Sequence, residues 1–173
     1  METTKNKLSQ EEAIFFQNLK AYINTPIYFF GSIQRHDYLP KHSDIDVDIF
    51  TNNEKNVIIK LESFLNVNRR DFKKTLCVID NIVIIGYKIK YIDERNKINV
   101  ELCVFNEKYK KQVISLQKEK FHIPYYICII TLFFKILYYE LNIIPFKLFR
   151  IIKNYLIGIT DADKQNFIIL EMD

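Results

Sequence analysis

The sequence predicts an α/β fold of the α+β kind: a short mixed β-sheet flanked by helices, followed by a helical C-terminal part. Three observations carry that expectation. Apolar residues recur at helical spacing over Ala13, Phe16, Leu19 and Ile23, and a period-two alternation of acids with Ile and Val runs through Asp44–Ile49. Beyond them, β-branched runs at 76–92 and 98–105 are separated by short polar turns, and helical patterns take over from Glu107. With 173 residues, 49% of them hydrophobic and 27% charged, the chain has the length and composition of one globular domain. No repeat, low-complexity tract or linker divides it, so a single domain over 1–173 is expected, its sheet core ending near 106 and its helical part filling 107–173.

Taken in order, Ser9 with Glu11 and Glu12 reads as a helix start, and Pro26 ends that helix before an apolar strand at Ile27–Phe30. Asp44 to Phe50 forms the acidic strand, and the segment 52–66, with Val57, Ile58, Leu61, Phe64 and Leu65 at helical spacing, forms a second helix. Arg69, Arg70, Lys73 and Lys74 mark a solvated turn. Two strands then pair as a hairpin across Asp93–Lys97, the second of them at Ile98–Phe105. Residues 125–141 are strongly apolar but interrupted by Lys135 and Glu140. This run is shorter than the ~20 residues of a membrane span, so a buried core helix is expected and no membrane partner is implied. A further helix starts at Pro145, lays down the stripe Phe146, Phe149, Ile152 and Leu156, and closes at Gly158; 161–170 is expected to add a short terminal helix.

The acidic strand raises a chemical question. Side chains alternate along a strand, so Asp44, Asp46 and Asp48 share one face while Ile45, Val47 and Ile49 face a core. Carboxylates at i and i+2 have Cα atoms roughly 6.6 Å apart, close enough for their oxygens to converge on shared cations. Hard oxygen donors favour Mg²⁺ or Mn²⁺ over zinc, and paired ions of this kind stabilise the attacking and leaving oxygens of a phosphoryl displacement. Asp48 lies roughly 13 Å from Asp44 along a straight strand, too far to share an ion with it.

Upstream, Gly31 lets backbone approach a phosphate closely, and Ser32 adds a hydroxyl and amides at the start of a turn. Gly31-Ser32, a spacer, then Asp44-Ile45-Asp46-Val47 resembles the signature of the DNA polymerase beta-like nucleotidyltransferase superfamily. The resemblance implies a nucleotidyltransferase fold, two Mg²⁺ (or Mn²⁺) ions on Asp44 and Asp46, and an NTP triphosphate held at Gly31 and Ser32. Arg35, in the loop between the two halves of the motif, is implied to touch a nucleotide phosphate through its fork of donors. His36 and His42 in the same loop are expected to be solvated rather than part of the site.

A third acid stands alone in an apolar strand, at Val100-Glu101-Leu102, where an unpaired buried carboxylate would cost several kcal/mol. The superfamily places a third carboxylate on a strand beside its Asp-x-Asp strand, usually as aspartate. Glu101 resembles that position, which implies a metal ligand and an activator of the acceptor hydroxyl. The catalytic set implied is Asp44, Asp46 and Glu101, transferring a nucleoside monophosphate from an NTP to a hydroxyl on protein or RNA with release of pyrophosphate. Two other classes remain open: a catalytically inactive scaffold of the same fold serving as a binding or regulatory protein, and a nucleic-acid-binding module.

The net charge of +4 is mild, though residues 107–153 carry nine Lys or Arg against three Glu, a surplus able to steer an anionic substrate. Cys77, Cys103 and Cys128 are widely spaced with no Cys-x-x-Cys pair, which argues against structural zinc and for reduced thiols. Met1-Glu-Thr-Thr-Lys-Asn-Lys does not read as a secretory leader, so a cytoplasmic protein is expected.

Overall fold

The computed structural model describes residues 2–79, 82–119, 123–158 and 167–170. Helix α1, Gln10–Ile23, begins on a reciprocal cap in which Ser9 accepts from the Glu12 amide while the Glu12 carboxylate accepts from the Ser9 amide. It ends at Asn24, whose φ of 52° is tolerated because its short polar side chain suits the left-handed region. Strand β1, Ile27–Phe30, runs into a 3-10 turn, Gly31–Gln34, and an irregular connection leads to β2, Ile45–Thr51. Asp44 therefore stands just outside the strand that the alternation predicts to contain it. Helix α2, Glu54–Leu65, capped by Asn53, precedes β3, Lys73–Ile79, β4, Ile82–Asp93, and β5, Ile98–Asn106.

The strands form one mixed sheet in the order β1-β2-β5-β4-β3, extended by β6 at Phe167–Leu170. All neighbours are antiparallel except β2 and β5, which run parallel with Asp46 opposite Glu101 and Asp48 opposite Cys103. Alternation sorts the two faces. Ile45, Val47 and Ile49 of β2 with Val100, Leu102 and Val104 of β5 meet Phe16, Leu19 and Ile23 of α1 and Val57, Ile58, Leu61 and Leu65 of α2, which makes the main core. The opposite face carries Asp46, Asp48, Glu101 and Lys88, and beside them a smaller cluster of Phe50, Cys77, Ile84, Phe105 and Val113. Gly86 is needed there, because a Cβ would stand 2.4 Å from the Phe105 ring.

Three helices follow: α3, Lys110–Glu119, α4, Tyr125–Tyr139, and α5, Phe146–Ile157, which ends at Gly158 with a φ of 67°. Here the sequence expectations need correction. Helix α4 is no buried core helix. Its inward stripe is Cys128, Thr131 and Lys135, while Tyr126, Ile129, Ile130, Phe133 and Ile136 are exposed. The reason is that α4 packs on α5 and on the loop before β2 rather than between two apolar layers. In α5 Phe149 is buried but Phe146 is exposed, so the stripe is one turn shorter than its spacing predicts. Of the predicted terminal helix, 161–166 lie outside the described residues and Phe167–Leu170 is a strand paired with β3. A Phe-Ile-Ile-Leu run suits a free sheet edge better than a helix.

Leu102 is fully buried at the centre of the main core. Leu102→Ala should therefore lower unfolding free energy by about 2–5 kcal/mol in urea titrations, with an unchanged m-value.

Candidate active site

The site face of the sheet opens into a cavity of about 470 Å³, within the size range of pockets that hold small ligands. Asp44, Asp46, Asp48 and Glu101 line it together with Gly31, Ser32 and Arg35, and the helical part closes it with Lys135, Tyr139, Phe149, Lys153 and Ile157. One carboxylate oxygen each from Asp44, Asp46 and Glu101 lies within 4.8 Å of the other two. The β2–β5 register accounts for two of them, because paired parallel residues point the same way and Asp46 stands opposite Glu101, while Asp44 joins them from the connection just before β2.

Gly31 and Asp46 are sterically matched. Gly31 has a φ of +69°, and a Cβ built on it would stand 1.7 Å from Asp46 Oδ2, so any other residue would occupy the space of the carboxylate. Ser32 sits buried beside them at the cavity wall.

Crowded acids shift each other's protonation. Burial, then the charges of Asp44 and Glu101, push the Asp46 pKa up to about 7. Asp48 is pushed up to about 8 by burial and by Asp46, against a hydrogen bond it accepts from Gln117 Nε2 at 3.3 Å. Lys88, from β4, supplies a counter-charge by pairing with Glu101 Oε1; burial opposes its charge, but Glu101 outweighs burial and its pKa is raised. Lys88 and Lys153 both favour the charged form of Asp46. With Arg35 and Lys135 engaged by Asp37, Lys88 and Lys153 are the cations left among the described residues to face the four acids, and three hard oxygen donors this close suit a divalent cation.

The remaining loop residues divide clearly. Arg35 lines the cavity, but its Nε and one terminal nitrogen donate to the two carboxylate oxygens of Asp37 at 2.8 and 3.0 Å. His36 packs edge-on against Tyr125, and His42 lies 2.9 Å from Glu140 and stacks on Tyr139; neither lines the cavity. Sequence reasoning missed Lys88, Gln117, Lys135 and Lys153. Lys135 carried a usable signal, a lone cation inside an apolar helical run, of the same kind that singled out Glu101.

Fold and site together give an α+β scaffold with a carboxylate triad set beside a Gly-Ser turn. Residues 13–138 match the nucleotidyltransferase domain, and the chain belongs to that family of enzymes. Among solved structures it is similar to the Cid1 poly(U) polymerase in its MgGTP-bound form, with a TM-score of 0.39 and 14% identity over 75% of this chain and 43% of that one. The chain thus spans less than half the length of that polymerase. No curated protein matches the sequence.

Three outcomes are expected. Both raised carboxyls hold their protons in the folded state to a higher pH than in the unfolded chain, where the ordinary value is 3.8. Cation-free stability should therefore fall as pH rises from 3.8 through about 8, and thermal melts in chelator at about pH 5 and about pH 8.5 will show it. Asp48→Asn should raise the melting temperature at the alkaline end and flatten the slope. Gly31→Ala should displace either the turn or the Asp46 carboxylate, seen as a lower melting temperature and loss of any stabilisation by Mn²⁺.

Proposed function

We propose that this chain transfers a nucleoside monophosphate from an NTP to a hydroxyl acceptor, on protein or RNA, and releases pyrophosphate. The observation that carries this reading is the convergence of Asp44, Asp46 and Glu101 beside Gly31 and Ser32 in a cavity that also holds Lys88 and Lys153. Asp44, Asp46 and Glu101 are the residues that would hold divalent cations, most simply Mg²⁺. Such ions, when bound, supply charge neutralisation at the oxygens around the reacting phosphorus.

The protein's own groups have separable tasks. The Gly31–Ser32 turn brings backbone and a hydroxyl against the triphosphate, and the glycine leaves room for the Asp46 carboxylate beside it. Lys88 and Lys153 offset phosphate charge in a partly enclosed site, where such an interaction is stronger than in water. Arg35, oriented by Asp37 and lining the cavity, keeps donors beyond the two that Asp37 occupies, and these would serve a nucleotide phosphate. Glu101 takes the proton of the acceptor hydroxyl. The oxygen so freed forms a bond to the α-phosphorus as the bond to the bridging oxygen breaks, and that oxygen leaves with pyrophosphate. Most of the rate derives from positioning and charge complementarity.

Incubation with each of the four NTPs, labelled at the α-phosphate, in the presence of total RNA and total protein should label one acceptor fraction and release pyrophosphate. Asp46→Asn should lower that rate by more than the ~10–100-fold typical of losing a residue that merely supports a metal ligand. A wild-type protein that labels nothing with any NTP, and whose ligand binding is indifferent to Asp46→Asn, would leave the inactive scaffold as the correct reading.

A further inference from the structure

Of the three acids, Asp44 is the one that stands outside a strand, since β2 begins at Ile45. Its direction depends on the connection 35–44. Within that connection Ser43 closes a turn: its amide donates to Leu39 O at 2.9 Å, and its Oγ accepts from the Leu39 amide at 3.1 Å. At the other end, Arg35 grips both oxygens of Asp37. What joins the two ends comes from 92 and 98 residues away in sequence. Lys135 Nζ, projecting from α4, donates to the Asp37 backbone carbonyl, to Asp37 Oδ2 at 3.2 Å and to Ser43 Oγ at 3.1 Å.

An ammonium has three N–H donors, and all three are spent on the loop. Lys135 is 3% exposed, Asp37 1% and Ser43 7%, so the knot is shielded from water. Burying an ammonium without full pairing costs several kcal/mol, and even a well-paired one gains little over apolar packing. Such a group is informative for the geometry it imposes. Although Lys135 reaches the cavity wall, no donor remains for a phosphate while these bonds hold.

We propose that Lys135 is a positioning residue: it ties Asp37 to Ser43 and thereby presents the adjacent Asp44 carboxylate to Asp46 and Glu101. The inference rests on the reading of those three acids as the cation-holding set. It also gives the helical part a task in the chemistry of the sheet, because α4 supplies the buried tie between the two ends of the 35–44 connection, beside the more exposed pairing of His42 with Glu140.

The test compares wild type, Lys135→Met, Ser43→Ala and Ser43→Thr by Mn²⁺ affinity, read from the paramagnetic resonance of free Mn²⁺, and by NTP kinetics. Lys135→Met should weaken Mn²⁺ binding by about tenfold or more, as loss of support for a metal ligand does, and lower kcat with KM for NTP within about threefold. Amide exchange at 39–44 should quicken while β2 stays protected. Ser43→Ala should weaken Mn²⁺ binding in the same direction by less, and Ser43→Thr, which keeps the hydroxyl, should restore it. Unchanged Mn²⁺ affinity in a folded Lys135→Met protein overturns the proposal, as does a large rise in KM with Mn²⁺ affinity intact, which would make Lys135 a substrate contact. Should Lys135→Met fail to fold, the Ser43 pair decides: equal Mn²⁺ affinity in the alanine and threonine variants overturns it. Wild-type protein that binds no Mn²⁺, or binds it equally after Asp46→Asn, would instead remove the underlying reading of the acids.

Discussion

The parallel pairing of β2 with β5 is the constraint on which the site depends. It sets Asp46 opposite Glu101, and because side chains alternate strictly, the same register sends Val47 and Leu102 into the core between the sheet and helices α1 and α2. A slip of one residue would bury Glu101 among apolar side chains and turn Leu102 towards the cavity. The main core therefore enforces the acid geometry: the apolar face can be satisfied in only one register, and that register is the one that gathers the carboxylates.

Gathering them carries an electrostatic cost that the rest of the cavity distributes. Burial and mutual repulsion push Asp46 and Asp48 towards their neutral forms, and Lys88 and Lys153 offset part of the charge from β4 and α5. Gly31 contributes by what it lacks, leaving the space that the Asp46 carboxylate fills. A cavity poised in this way is short of positive charge and open to phosphate-bearing ligands through the cations it can hold.

Helix α4 inverts the usual arrangement of a surface helix. Polar Thr131 and Lys135 face inwards while large apolar groups from Tyr126 to Ile136 face out. A helix apolar on all sides is ordinarily buried, and its periodicity does not say which stripe will be satisfied within the chain. Here the choice falls to Lys135, whose three donors find three acceptors on the loop before Asp44. The outward apolar face follows from that choice.

Much of the fold was legible because local rules and tertiary structure agree. The Ser9–Glu12 cap, the stripe on α1, the alternation in β2 and the hairpin across Asp93–Lys97 each specify their element within a dozen residues. Gly31, Ser32, Asp44 and Asp46 were legible as a spaced motif, and Glu101 as a charge that an apolar strand would not carry idly. What sequence could not supply were facts that depend on distant segments meeting. The pairing of Glu101 with Lys88 and the inward turn of Lys135 onto Asp37 and Ser43 are contacts between elements. The edge strand at Phe167–Leu170, read locally as helix, exists because β3 offers it unpaired backbone. Patterning decides which residues of a segment face together; which partner that face meets is settled only when hydrogen-bonding and charge are satisfied across the whole chain.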